Sequence, residues 1–367
     1  MSTCGGWHEG DPPAGRRFAD LGPVELELGG HLPQVRVAYE TWGTFDGDNA
    51  VLIEHALTGD AHVCGLEAVG QPTPGWWDAL VGPGKAIDTD RWYVVAANVL
   101  GGCQGTTGPS STAADGRAYG SRWPRNTIRD QVVVEALLAD HLGIERFASV
   151  MGGSMGGMRA LEWLVMYPDR IGSALILATG AAATADQIAT QTVQIQAIEA
   201  DPDWNGGDYY GTGRCPVVGM GIARRIAHMS YRTETELAGR FGRDHQIGED
   251  ALADGRFAVT SYLDHHADKL SRRFDPGSYV ALSDAMNLHD IYRGRTADVL
   301  RGVQVPTRVV GIGSDRLYPL YLQQQLADEL SAPLDVVDSP FGHDGFLLES
   351  EQIGRIALEL LTPLRVG

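Results

Sequence analysis

The stretch Phe147-Ala148-Ser149-Val150-Met151-Gly152-Gly153-Ser154-Met155-Gly156-Gly157-Met158-Arg159-Ala160-Leu161-Glu162-Trp163-Leu164 changes its period in the middle. The first five residues form a short, nearly continuous apolar run, as expected of a strand buried on both faces. Beyond Gly157 the spacing is helical until Tyr167-Pro168 stops it. Between the two lies a serine flanked by glycines. Such a string is also a common glycine-rich turn, and its place at a strand-to-helix junction is what makes Ser154 a candidate nucleophile.

A serine hydroxyl attacks only when a general base takes its proton, and a third group must hold that base in one tautomer. Two later strands end in loops that supply both. Thr307 to Ile312 leads into Gly313-Ser314-Asp315, and Leu334 to Val337 is followed by Phe341-Gly342-His343-Asp344. Of eleven histidines, His343 alone follows Asp315 in the chain. Serine, acid, histidine, each after a strand, is the order of the α/β-hydrolase fold. In that fold a loop after an early strand completes the oxyanion hole. The loop Ala56-Leu57-Thr58-Gly59-Asp60 follows the strand Ala50 to Glu54, so the backbone amides of Leu57 and Met155 are the candidate oxyanion donors. His55 reads as structural.

The remaining text fits that frame. Val24 to Leu28 and Gln34 to Tyr39 alternate like an edge hairpin, while Trp92 to Ala97 and Ser173 to Ala178 read as buried strands. Thr127 to Leu142 reads as a helix. Alternating strands and helices imply a mostly parallel sheet flanked by helices. Between about 180 and 298 the rhythm becomes helical (183–200, 219–229, 234–239, 251–270, 278–287), which gives a core of 1–180 and 298–367 and a helical lid of 181–297.

Bulk properties narrow the function. The 47 acidic against 29 basic residues give a net charge of −18, which disfavours nucleic acid and anionic membranes. No apolar run reaches the roughly 18 residues of a membrane span. The N-terminus lacks the basic start and apolar run of a secretory signal, so the expected compartment is the cytosol. The four cysteines (Cys4, Cys64, Cys103, Cys215) have no metal-site spacing and are expected to be reduced, with Cys64 and Cys103 near the site and open to alkylation. His265-His266 reads as solvent-facing, and no metal site emerges.

Five segments together resemble the homoserine O-acetyltransferases: His55 to Asp60, Asn98 to Pro109, Gly152 to Gly157, Ser314 to Pro319 and Gly342 to Asp344. The likeness runs from about residue 18 to the C-terminus and includes Ser261-Tyr262-Leu263, Arg273-Phe274-Asp275 and Tyr279 of the lid. It implies a ping-pong acetyl transfer in methionine biosynthesis, from the co-substrate acetyl-CoA through Ser154 to homoserine, with no permanently bound cofactor. It also implies that Arg224 and Tyr231, seven residues apart and so on one helical face, hold the homoserine carboxylate and that Asp344 holds its ammonium group. Arg225 is expected on the exposed face. The family is typically dimeric through its lid, which the apolar faces of 183–200 and 251–270 would suit. Arg159 stands where many members carry glutamine, and either ties the nucleophile helix to a neighbour or alters the donor entrance. Succinyl transfer, a serine acceptor, ester hydrolysis and a non-catalytic binding role remain rival readings.

Overall fold

Short apolar strands alternating with amphipathic helices assemble into one eight-stranded sheet in the computed structural model, which describes residues 4–365. The strands are β1 (Arg17–Glu25), β2 (His31–Trp42), β3 (Ala50–Glu54), β4 (Tyr93–Ala97), β5 (Ser149–Gly153), β6 (Ala174–Leu177), β7 (Thr307–Ile312) and β8 (Leu334–Val337). Their spatial order is β1-β2-β4-β3-β5-β6-β7-β8. The β2 strand runs against both of its neighbours, and every pairing from β4 to β8 is parallel. This is the expected α/β-hydrolase fold with its antiparallel hairpin at one edge.

Alternate side chains of the parallel strands go to opposite faces, as a pleat requires. Leu52, Val150, Ile176 and Val309 pack under α1 (Ile128–His141) and α2 (Met155–Met166), with α8 (Leu320–Leu330) beside them. Ile53, Met151, Leu175 and Val310 pack on the other face against Trp77 and the C-terminal helix Ser350–Leu361. Burial on both faces explains why these strands read as continuous apolar runs. Thr127 starts α1 with a reciprocal capping box to Asp130.

Five helices lie between β6 and β7: α3 (Ala185–Glu199), α4 (Val217–Tyr231), α5 (Glu234–Phe241), α6 (Ala258–Ser271) and α7 (Pro276–Asn287). A third apolar cluster joins them to the sheet, with Met220, Ala223, Tyr279 and Leu282 packed with Leu57, Met155, Met158 and Leu317. That cluster seats the helices over the ends of the strands.

The structure corrects four expectations. Cys4 and Cys215 are joined in a disulfide, and only Cys64 and Cys103 are free among the described residues. The two partners are 211 residues apart, with Cα atoms 5.5 Å apart, a proximity that spacing in sequence does not reveal. The 251–270 helix starts at Ala258, because 250–255 folds into a turn in which the amides of Ala253 and Gly255 donate to the Asp250 carbonyl. His266 turns inward and stacks on His228 with ring centroids 4.0 Å apart, while His265 stays exposed. Of the two helices expected to offer apolar faces, α3 leaves Ile188 and Val193 exposed as expected, while α6 buries Ala267 and Leu270 and α4 instead exposes Val218, Ile222 and Met229.

The main chain packs very tightly at Gly156, where a Cβ would stand 2.1 Å from the carbonyl oxygen of Glu54 at the end of β3. Backbone cannot yield as a flexible side chain can. Gly156→Ala is expected to cost about 2–4 kcal/mol of stability, read as a lower denaturation midpoint in a chemical melt, because overpacking against main chain forces the strand and helix apart.

Candidate active site

Ser154 stands between β5 and α2, at the N-cap position of the helix, with φ 57° and ψ −120°, a conformation rare for a residue with a side chain. Its amide donates to the Leu177 carbonyl (3.0 Å) and its carbonyl accepts from Met158 (3.0 Å), so the turn is pinned from both sides. A Cβ at Gly152 would lie 2.3 Å from the Gly156 carbonyl oxygen, which is why this turn needs glycine there. Met155 is the first residue of α2, and the first N–H groups of a helix have no acceptor within it.

Asp315 and His343 meet across the ends of β7 and β8. His343 Nδ1 lies 2.7 Å from Asp315 Oδ2, and both side chains are almost wholly buried. Asp315 Oδ1 accepts from the amides of Leu317 (2.8 Å) and Tyr318 (2.9 Å), which fixes the carboxylate. The Tyr318 ring stacks on His343 with centroids 5.2 Å apart, and Phe346 meets its edge at 5.4 Å. A proton on Nδ1 held by Asp315 leaves Nε2 free to accept one.

Ser154, His343, Leu57, Arg224, Tyr231 and Asp344 line one cavity. All the sequence-derived site residues therefore converge there except Asp315, which stands behind His343, and Met155, whose side chain is buried in the lid cluster. Arg224 and Tyr231 share a face of α4, with the guanidinium carbon 5.6 Å from the ring centroid. Arg224 Nε and Nη1 are buried with no acceptor among the described residues. Arg225 departs from its expected exposed role, pairing at 2.7 Å with Asp264 and bracing α4 against α6.

His55 is structural. Its Nε2 accepts from the Val99 amide (3.1 Å), so Nδ1 carries the proton and donates to the Ala56 carbonyl (2.7 Å). Burial, reinforced by Arg159, lowers its pKa to about 3 and keeps it neutral. Arg159 resolves in favour of the tie: fully buried, it bonds Glu135 of α1 (2.5 Å) and the His55 carbonyl. Burial raises both free thiols, Cys64 to about 11, so neither has the thiolate character that alkylation needs.

Several roles escaped the sequence reading, that of Arg273 included although its segment carries part of the family resemblance. Arg273 donates to the Thr58 carbonyl and lies 3.7 Å from Asp60, so the lid grips the oxyanion loop. Gln191 lines the cavity, with Oε1 buried and lacking a partner among the described residues. Arg232 joins Asp344 to Glu236. Helical period alone marked none of these.

Residues 49–350 match the model of the alpha/beta hydrolase fold family. The chain is 59% identical to a homoserine O-acetyltransferase of Thermobifida fusca, over 98% of this chain and 97% of that one. It is 56% identical to the homoserine O-acetyltransferase of Nocardia farcinica, over 95% and 94%. The chain belongs to the homoserine O-acetyltransferase family. Among solved structures, the homoserine O-acetyltransferase of Bacillus anthracis superposes with TM-score 0.85 at 25% identity, covering 94% of this chain and 97% of that one. Esterase E22 superposes as well, at 0.86 and 26% identity over 94% and 99%. Backbone shape thus separates family members from esterases poorly.

Burial opposes the charged imidazolium of His343, but Asp315, and more weakly Asp344, outweigh it and raise the pKa above the ordinary 6.5. A base works only when unprotonated, so the acid limb of activity falls above 6.5 rather than at it. Asp344→Asn removes one raising charge and is expected to move that limb of the donor half-reaction downward. A pH profile of kcat/KM for the acyl donor measures it, and an unmoved limb contradicts the electrostatic account.

Proposed function

We propose that this acyltransferase moves an acetyl group from acetyl-CoA to the hydroxyl of homoserine through an acetyl-Ser154 intermediate, in methionine biosynthesis and in the cytosol. The observation that carries the acceptor is Arg224, whose buried, unpartnered donors line the same cavity as Ser154 and Asp344. A zwitterion with a carboxylate for Arg224 and Tyr231 and an ammonium group for Asp344 satisfies both ends. An esterase using water has no need of such a pair.

In the first half-reaction His343 Nε2 takes the Ser154 proton as Oγ attacks the thioester carbon. The negative oxygen of the tetrahedral intermediate is held by the Leu57 and Met155 amides, an arrangement whose single donors are typically worth about 10²–10³ in rate. The C–S bond then breaks, and His343 gives its proton to the departing thiolate. In the second half the homoserine hydroxyl loses its proton to His343 and attacks the acyl carbon. The C–Oγ bond breaks, and the proton returns to Ser154.

The expected result is CoA release that depends on homoserine. A panel of acetyl-CoA and succinyl-CoA against homoserine and serine, with product mass, should give O-acetylhomoserine, and Ser154→Ala should lose about 10⁴-fold or more. CoA release at one rate with and without homoserine would return the esterase reading, which the likeness to esterase E22 keeps in view.

We infer that the working unit is a homodimer in which a second copy covers the apolar row of Val218, Ile222 and Met229 on α4 with Ile188 and Val193 on α3. Light scattering should report twice the 39.4 kDa chain mass. Ile222→Asp should return the mass to one chain, and a monomeric parent protein would refute the pairing.

A further inference from the structure

Asp344 does not stand alone in the cavity wall. Arg232, the residue that ends α4, places Nη1 3.1 Å from Asp344 Oδ2. Its other edge grips Glu236 of α5 as a fork, Nη2 to Oε1 at 2.8 Å and Nε to Oε2 at 3.2 Å. Both Arg232 and Glu236 have side chains only 8% exposed, and Glu236 does not line the cavity. The guanidinium lies 5.1 Å from the Phe341 ring centroid, two residues before His343.

The spacing of this chain of charges is fixed. Thr233 Oγ1 donates to the Pro340 carbonyl at 2.7 Å, and a Cβ at Gly342 would stand 2.4 Å from the Tyr231 carbonyl oxygen. The end of α4 and the loop bearing His343 are therefore packed main chain to main chain. The backbones that carry Arg232 and Asp344 keep their separation, and the fork to Glu236 holds the guanidinium itself in place.

A carboxylate paired one-to-one with an arginine has no net charge to offer a cation. Here the second carboxylate offsets the guanidinium, so Asp344, Arg232 and Glu236 together carry −1; Arg240 also pairs with Glu236, but it is half-exposed and its charge is screened by solvent. The other charged groups nearby are Arg224 and His343 in the cavity wall and the half-exposed Arg240, 3.6 Å from Glu236. None of these replaces a lost negative charge.

We propose that Glu236, acting through Arg232, keeps Asp344 electrically available and so sets how strongly the site selects acceptors that bear an ammonium group. This inference rests on the reading that Asp344 receives the ammonium of the acceptor. Arg232 and Glu236 are positioning residues that need not touch the substrate.

The test compares homoserine with 4-hydroxybutanoate, which keeps the hydroxyl and carboxylate and replaces the ammonium group by hydrogen. Glu236→Gln leaves the shape and removes the charge. It is expected to raise the KM for homoserine and shrink the homoserine-to-hydroxybutanoate ratio of kcat/KM about tenfold. At a pH above the acid limb, where His343 is unprotonated, the acetyl-CoA half-reaction and the kinetics with 4-hydroxybutanoate should stay unchanged, which also certifies folding. In the double variant Arg232→Gln/Glu236→Gln, Asp344 is again the net −1, and the ratio should return toward that of the parent protein. A role in packing alone predicts the double variant to be the worse of the two. An unchanged ratio in Glu236→Gln, or a folded double variant that has lost the ratio, overturns the inference. If Glu236→Gln does not fold, the double variant decides alone by the same criterion. Equal kcat/KM for the two acceptors in the parent protein is a separate outcome: it removes the ammonium role of Asp344, and the inference with it.

Discussion

The turn at Ser154 is the constraint on which the rest of the structure depends. A serine at φ 57° stores roughly 1–3 kcal/mol of backbone strain, and such a residue persists only where its surroundings over-determine it. Here they do so from three directions. The Leu177 carbonyl holds the Ser154 amide, α2 begins at once, and Gly156 lies against the end of β3. One helical turn later Arg159 locks α2 to Glu135 of α1 and to the His55 carbonyl. Breaking a buried pair of this kind typically costs about 3–5 kcal/mol, since it strands the other charge. The arrangement couples α2 to the residue just before the loop 56–60, so the proposed oxyanion donors Leu57 and Met155 are set by one framework.

The lid adds a second framework from above. Arg273 reaches the Thr58 carbonyl from the turn between α6 and α7, and Arg232 reaches Asp344 from the end of α4. Arginine suits both tasks because its planar fork serves several acceptors at once and stays charged when buried. The lid is therefore fastened at both walls of the cavity by groups that the core does not supply. That fastening gives the proposed acceptor side of the cavity a fixed electrostatic pattern, positive at Arg224 and negative at Asp344.

What was legible in the sequence is what depends on local order. Ser154, Asp315 and His343 each follow a strand, and strand-loop succession is written along the chain. Arg224 and Tyr231 were singled out by the family resemblance, and helical period added only that a spacing of seven puts them on a shared face. Arg232 and Glu236 obey the same local rule, yet their importance comes from Asp344, 112 residues away from Arg232. Arg273 contacts a loop 215 residues distant, and Cys4 meets Cys215 across 211. Such pairs leave no periodic trace, because a contact made by folding constrains neither partner's neighbours in the chain. His266 shows the converse error: two adjacent histidines on a helix point apart, and that rule does not say which of them faces in.

Close superposition on both an acetyltransferase and an esterase means that shape alone does not choose between acceptors. In the proposed mechanism the nucleophile, base and oxyanion donors act on the acyl group, which both reactions share. Selection has to come from groups that bind the acceptor and leave the acyl carbon alone, since only these distinguish an amino-acid hydroxyl from water. Binding energy from a carboxylate and an ammonium group remote from the reacting oxygen can orient that oxygen, an advantage water lacks. Arg224, Tyr231 and Asp344 come from the lid and from the residue next to the base, and none of them belongs to the strand framework. A chain that kept the sheet and lost this pattern of charge would retain the chemistry of acylation while losing its reason to prefer an alcohol over solvent.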